Sequence, residues 1–287
     1  MRALAQFVMR GPLQAGAVAA IAMTVPLLFW VGAAVVGLVI LRLGISQGLS
    51  IGLWALLPGL GWAWVGQDPT AVSVLLLVMV MAAVLRASLS WQKALLSGAG
   101  LTLVMGALLP ILYSGLLDQL VQAGVEFYQS YEVEAPVAGG QLETVIRETM
   151  VASMAGMFLA MGIGMTMLAR SWQAGLDNPG GFQREFHSLR LSVPVALGCV
   201  LAIVAGPYLG LNALLLAWAA GLPLFLAALG LVHGVVALRG MGSHWLVMFY
   251  VALMLLGPSL MFLLLVVAFV DSWLDIRGRI KSSGSAE

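Results

Sequence analysis

The sequence predicts an all-α fold, a polytopic bundle of about 8–10 transmembrane helices. Charged residues are scarce, with 13 Lys and Arg and 12 Asp and Glu among 287 residues. Hydrophobic residues make up 62% of the chain, and the mean hydropathy is +1.05. Soluble domains carry roughly a quarter charged residues, so lipid must face most of this surface. The apolar runs do not alternate with polar residues as barrel strands would, which favours helices.

Nine apolar runs lie between the charged stretches, and each is predicted to be helical because backbone amides need partners inside a bilayer. Pro26 is predicted to separate the first two runs, since proline removes an amide donor and bends or breaks a helix. Gly257-Pro258 offers a similar break inside the last run. The runs cover residues 12–25, 26–41, 46–66, 71–85, 94–114, 150–169, 191–208, 212–237 and 244–270.

The charges predict the orientation, because cytoplasmic loops carry an excess of Lys and Arg. Segment 115–148 holds six carboxylates against the single Arg147 and is expected outside. The protein is then expected in the inner membrane of a bacterial cell, with its N-terminus in the cytoplasm. Nine crossings would place Arg277 and Arg279 outside, whereas a split final run would return the tail to the cytoplasm, which is the side we favour. The basic residues expected inside are Arg2, Arg10, Arg42, Arg86, Lys93, Arg170, Arg184, Arg190 and Arg239.

The whole chain, 1–287, is expected to form a single integral membrane domain. Its parts are the N-terminal spans 1–114, an external acidic loop 115–149, the C-terminal spans 150–272 and a tail 273–287. A cytoplasmic connection, residues 170–190, interrupts the C-terminal spans. Helical spacing of Leu and Val within 116–125 predicts an amphipathic helix at the outer surface, and residues 135–140 predict a flexible turn.

The sequence offers little chemistry inside the membrane. His233 is the one ionisable residue clearly within a run, and no carboxylate occupies the middle of a span, which argues against an ion-driven pump. Gly48-Leu49-Ser50-Ile51-Gly52 matches a serine-hydrolase pattern, but Ser50 enters a membrane helix instead of a strand-to-helix elbow. We expect no catalytic residue, metal or cofactor. A net charge of +1 without a basic stripe predicts no nucleic-acid partner.

Two sets of residues are candidates for function. Asn178-Pro179-Gly180-Gly181 is a strong turn signal and centres a candidate docking surface for a cytoplasmic partner, or else a plain interfacial connector. Small residues every four positions form a candidate packing seam, within the bundle or between two copies. The docking set is Arg170, Trp172, Asn178, Pro179, Gly180, Gly181, Arg184, Glu185 and Arg190, and the seam is Ala152, Gly156, Ala160 and Gly164.

Two stretches carry a resemblance to a known family. They are residues 169–191, ARSWQAGLDNPGGFQREFHSLRL, and residues 267–281, VAFVDSWLDIRGRIK. Both resemble the YybS-like bacterial membrane proteins, a family of unknown function. The N-terminal half is also similar to substrate-binding components of energy-coupling-factor transporters and, more faintly, to the rod-shape protein MreD. The transporter resemblance implies binding or transport of a small, largely uncharged molecule, with the connection docking on an energising module.

A non-catalytic envelope scaffold or protein-interaction subunit is the competing function. A cavity of several hundred Å³ opening outward between the spans would favour the small molecule. A filled bundle with an exposed apolar seam would favour the scaffold. Groups that such a cavity would use are Trp54, Trp62, Trp64, Tyr113, Asn212 and Trp218.

Overall fold

A computed structural model describes residues 2–130 and 141–284, and these residues form helices and turns with no strand among them. The all-α helical bundle is therefore confirmed. The helices are α1 Arg2–Val8, α2 Pro12–Thr24, α3 Phe29–Leu43, α4 Ile45–Val65, α5 Thr70–Ser88, α6 Trp91–Leu112, α7 Ser114–Ser130, α8 Leu142–Asp177, α9 Gly181–His187, α10 Val193–Ala205, α11 Ala213–Leu238, α12 His244–Leu256, α13 Pro258–Leu274 and α14 Ile276–Gly284.

Ten of these helices are apolar enough to lie in a membrane. Within the described residues, α4, α5, α6, α8 and α11 are also long enough to cross one. The others are shorter: α2, α3, α12, α13 and α10, which the 3-10 turn Gly206–Leu209 extends. A helix of 13 residues, such as α2, is about 20 Å long. The chain is thus a multi-pass membrane protein.

Both breaks suggested by proline are present. Helix α2 ends at Thr24, and α3 folds back on α2. The two helices are in close contact, since a Cβ added at Gly32 would lie 2.8 Å from the carbonyl oxygen of Ala19. The last run is broken at Gly257, which has φ +48°, and Pro258 begins α13. Proline suits the first position of a helix because its missing N–H has no partner there.

The bundle has two ends, and we call the end that carries residues 170–190 the basic face. Three contacts bring other helix ends there: Arg42 pairs with Asp177 at 2.9 Å, Arg86 donates to the Leu41 carbonyl, and the Ser192 amide donates to Gln92 Oε1 at 2.6 Å. We call the opposite end the acidic face. It holds the pair Arg147–Asp118 at 2.7 Å and the bond from Asn212 Nδ2 to the Glu148 carbonyl at 3.0 Å.

The end of α13 lies at the basic face. Arg277 Nη1 donates to the His187 carbonyl at 2.7 Å, and Arg190 Nη2 donates to the Ser272 carbonyl at 2.7 Å. Near the N-terminus, Trp62 at the far end of α4 donates to the Thr24 carbonyl at the end of α2. Because α4 begins next to Arg42 at the basic face, both helices end at the acidic face, and α2 therefore begins at the basic face. The ten apolar helices of the described residues therefore pass between the two faces an even number of times.

Helix α8 is longer than the sequence predicts. Its 36 residues span about 54 Å, so the helix continues through the boundaries drawn at 149/150 and 169/170. The sequence boundaries mark changes in polarity, and a helix does not end where its surroundings become polar. At the acidic face α8 packs on α7, where a Cβ at Gly124 would lie 2.9 Å from Ile146. The turn predicted at 135–140 lies outside the described residues.

Side chains fill the centre of the bundle. The main core lies where α2, α3, α5, α6 and α8 meet, and a smaller one joins α10, α11 and α13. Helix α12 differs, since none of its 13 residues is buried. Phe249 and Leu253 pack against the smaller core, and the rest of this peripheral helix presents an exposed, largely apolar surface.

Candidate functional site

Arg170 and Glu185 of the predicted docking set hold the connection together. The Arg170 guanidinium donates two hydrogen bonds to the Glu185 carboxylate, one of them from Nε to Oε2 at 3.0 Å. Trp91 Nε1 donates to the same Oε2 at 3.2 Å. Paired donors from a planar guanidinium give both strength and orientation. These two residues therefore fix α9 against α8 and α6.

The turn after α8 is the exposed part of the docking set. Gly180 has φ +80°, a backbone conformation that favours glycine. Arg184 Nη2 donates to Asn178 Oδ1 at 3.1 Å and closes the turn. Asn178, Pro179, Gly180 and Arg184 are exposed, whereas Gly181 is buried against the Asn178 side chain.

Trp172 is not at the surface, contrary to the sequence prediction. It is buried in the main core, and its indole N–H has no hydrogen-bond partner among the described residues. Because α8 continues as a regular helix to Asp177, residue 172 follows the helical period and faces inward. Trp172 is therefore mainly a core residue, although it lies at the floor of a cavity beside the turn at Pro179 and Gly180.

A cavity of about 560 Å³ opens at the basic face, and we call it the basic-face cavity. Its walls come from α9 and the residues after it, from the end of α11, and from the start of α14. It is lined by Arg184, His187, Ser188, Arg190, Gly234, Ala237, Leu238, Asp275, Arg277 and Gly278.

A buried ion pair fixes the wall on the α14 side. Arg277 Nη2 lies 2.9 Å from Asp271 Oδ2, and their side chains are only 8% and 3% exposed. The other oxygen of Asp271 accepts the Ile276 amide at 2.9 Å and so caps α14. Arg190 adds a bond from Nε to the Asp271 carbonyl at 3.0 Å. These contacts tie the tail to the connection across the cavity.

His187 lies in the cavity wall, next to this pair. Burial lowers the pKa of its imidazole, and the nearby Arg277 charge lowers the pKa further. Its ring lies 6.1 Å from the ring of His233, whose Nε2 is 2.8 Å from the Tyr250 hydroxyl. The ring of His187 is consequently held in its neutral form more strongly than a solvated histidine.

The predicted small-residue seam is divided. Ala152 and Gly156 are buried, and a Cβ at Gly156 would lie 2.2 Å from Trp218 Cγ. Ala160 is exposed, and nothing lies within 4 Å of a Cβ at Gly164. With 3.6 residues per turn, each four-residue step rotates about 40° around the helix. The stripe therefore leaves the packed face of α8 after Gly156.

The aromatic groups named as candidate cavity walls do not converge. Trp54 and Trp64 are exposed on the outside of α4, whereas Trp218 faces Gly156. Asn212 caps α11 by accepting the Leu215 amide at 2.9 Å. These residues therefore lie at different places in the described structure and do not form the walls of one cavity.

Sequence reasoning missed Asp271, Arg277 and Ala237 as neighbours of the connection. The charged end of 267–281 was a visible signal, but the hydrogen bond from Arg277 to His187 spans 90 residues, and local patterns do not report such contacts. Comparison of the chain with protein-family models, with curated proteins and with solved structures finds no significant match.

Proposed function

We propose that this chain is a non-catalytic bacterial inner-membrane protein that binds a small molecule at the basic-face cavity. The observation that carries the proposal is the cavity itself, about 560 Å³ in volume. Small-molecule sites are typically about 300–1,000 Å³, with a few polar groups placed among apolar walls. Here the polar groups include three guanidiniums. Arg190 is held by two carbonyls near the end of α13, and Arg277 is held by Asp271 and the His187 carbonyl.

Charge supports a cytoplasmic position for this cavity. Arg42, Arg86, Arg170 and Arg190 lie at the basic face, while Asp118, Glu143 and Glu148 lie with Arg147 at the acidic face. Cytoplasmic ends of membrane helices carry the excess of basic residues. The N-terminus and the tail would then both be cytoplasmic.

Packing supports binding at one face more than passage through the bundle. Val35, Leu38, Leu77 and Leu159 are fully buried where α3, α5 and α8 meet. Three guanidiniums in the lining also fit an uncharged ligand poorly, which favours a ligand that carries negative charge over the uncharged molecule expected from the sequence. The exposed turn at Asn178 adjoins the cavity through Arg184 and remains the candidate docking point for a cytoplasmic partner.

A cavity-filling substitution tests the proposal. Ala237 is exposed in the lining, so Ala237→Trp should fill the cavity without disturbing the core, and Ala237→Ser is the matched control. Wild-type protein purified gently from its membrane should retain a molecule detectable by native mass spectrometry. The serine variant should keep the molecule and the tryptophan variant should lose it. Retention by all three proteins would contradict the proposal.

The exposure of helix α12 favours a second candidate function, that of a scaffold or protein-interaction subunit. None of its residues is buried, and Met254 and Leu255 are almost fully exposed. A photo-crosslinking residue at Met254 should give a discrete protein adduct in membranes if α12 meets a partner. The same residue at Leu57, exposed on α4, is the control. Lipid adducts alone at both sites would leave this candidate without support.

A further inference from the structure

The basic-face cavity carries an excess of positive charge. Arg184, Arg190 and Arg277 line it, against the carboxylate of Asp275 among the described lining residues and the buried carboxylate of Asp271, which pairs with Arg277. His187, also in the lining, has a lowered pKa and adds no charge at neutral pH. A ligand that enters this cavity therefore meets a net positive wall.

Two of the guanidiniums are already oriented. Arg277 uses one N–H on the His187 carbonyl and one on Asp271, and Arg190 uses two on carbonyls near the end of α13. A guanidinium has five N–H donors in a planar fork, so each of these arginines has more donors than its protein contacts use, including the contact from Arg190 Nη1 to Asp275. Groups held in this way lose little conformational entropy when a ligand binds.

The opposing carboxylate is itself engaged. Asp275 Oδ1 accepts the Gly278 amide at 3.3 Å and lies 3.5 Å from Arg190 Nη1. Asp275 is thus tied to the start of α14, and Arg184 on the other wall contacts only the neutral amide of Asn178 among the described residues. The cavity can therefore accept a further anion.

We infer that the basic-face cavity binds a phosphate group, an inference that rests on the proposed function and specifies its ligand. Phosphate oxygens match the fork of an arginine. The group can belong to a phospholipid headgroup or to a soluble phosphate ester. Basic pockets between helices at the cytoplasmic side are suited to anionic headgroups, and Ala237 and Leu238 supply an apolar edge beside the charges.

Charge reversal at the cavity rim tests the inference in the full-length protein. Arg184→Glu removes a cation without touching the buried pair, and Ser188→Glu adds a carboxylate without removing any arginine. Arg239→Glu is the matched control, because Arg239 is an exposed cation after α11 but does not line the cavity. All four proteins are compared after gel filtration confirms that each is monodisperse.

Two arms distinguish the sources of the phosphate. In detergent, binding of inorganic phosphate and glycerol phosphate is measured by calorimetry. In nanodiscs of equal parts phosphatidylglycerol and phosphatidylcholine, native mass spectrometry counts the phospholipids that stay bound. Both rim variants should weaken binding about ten- to a hundredfold, and Arg239→Glu should match wild type. Binding in the first arm identifies a soluble ester, and binding in the second arm alone identifies a headgroup.

Two results would overturn the inference: no phosphate-bearing probe binds wild type, or the control variant weakens binding as much as the rim variants. The proposed function fails separately. If a ligand without phosphate is retained by wild type and lost from Ala237→Trp, the cavity is a binding site and only its assigned ligand class is wrong. If Ala237→Trp loses nothing, both proposals fall.

Discussion

Removing the Asp271 carboxylate should destabilise the protein strongly. Asp271→Ala deletes the acceptor of Arg277 at 2.9 Å and the cap of the Ile276 amide at 2.9 Å. It leaves a guanidinium whose side chain is only 8% exposed. Breaking a buried pair by removing one partner costs about 3–5 kcal/mol, since the other charge stays buried. We expect a loss of that size in the free energy of unfolding.

The chain offers a matched control at the same face. Asp177 pairs with Arg42 at the same 2.9 Å, but the side chains are 42% and 33% exposed. An exposed pair contributes about 0–1 kcal/mol, so Asp177→Ala should change stability little. The double variant Asp271→Leu with Arg277→Met should recover part of the loss, because apolar residues can replace a buried pair.

Titration with dodecyl sulfate in mixed micelles, followed by circular dichroism, measures these free energies. The Asp271→Ala loss should exceed the Asp177→Ala loss by at least about 2 kcal/mol. Equal losses for the two single variants would show that burial does not decide the strength of this pair. A double variant weaker than Asp271→Ala would show that the loss does not come from an uncompensated charge.

Three further predictions concern packing, pH and orientation. Gly156→Ala should destabilise the bundle by about 1–3 kcal/mol in the same titration through its clash with an indole, whereas Gly164→Ala should be neutral or stabilising; equal effects would contradict the divided seam. Because the pKa of His187 is lowered in the folded protein, the unfolded chain takes up the proton first as the pH falls. The free energy of unfolding should therefore be highest above about pH 6.5 and decrease below it, less steeply in His187→Gln. Titrations at several pH values test this, and identical slopes for the two proteins would refute it. A cysteine at Ser130 should react with impermeant maleimide in intact cells and one at Gly180 should not; the reverse would invert the orientation.

Sequence reasoning reached the fold because hydropathy and proline act locally. Long apolar runs require helices in lipid, and Pro26 and Pro258 mark the breaks between α2 and α3 and between α12 and α13. The amphipathic spacing at 116–125 likewise corresponds to α7. Each of these signals depends on residues within a few turns of one another.

The candidate site was harder to predict because its parts are distant in the chain. The connection and the tail were each recognised as charged. The bonds from Arg190 to the Ser272 carbonyl and from Arg277 to the His187 carbonyl, however, depend on how α11 and α13 pack. The buried position of Trp172 and the divergence of Gly164 follow from helical rotation over a 36-residue helix, which polarity alone does not reveal. The cavity arises from this packing.

A cryo-electron microscopy map of the protein in nanodiscs of its own membrane lipids would show whether the basic-face cavity holds a ligand. We expect ligand density inside the basic-face cavity, within hydrogen-bonding distance of Arg184, Arg190 or Arg277. The density should be absent from the Ala237→Trp variant. A well-resolved map of the wild-type protein with an empty cavity would contradict the proposed binding site.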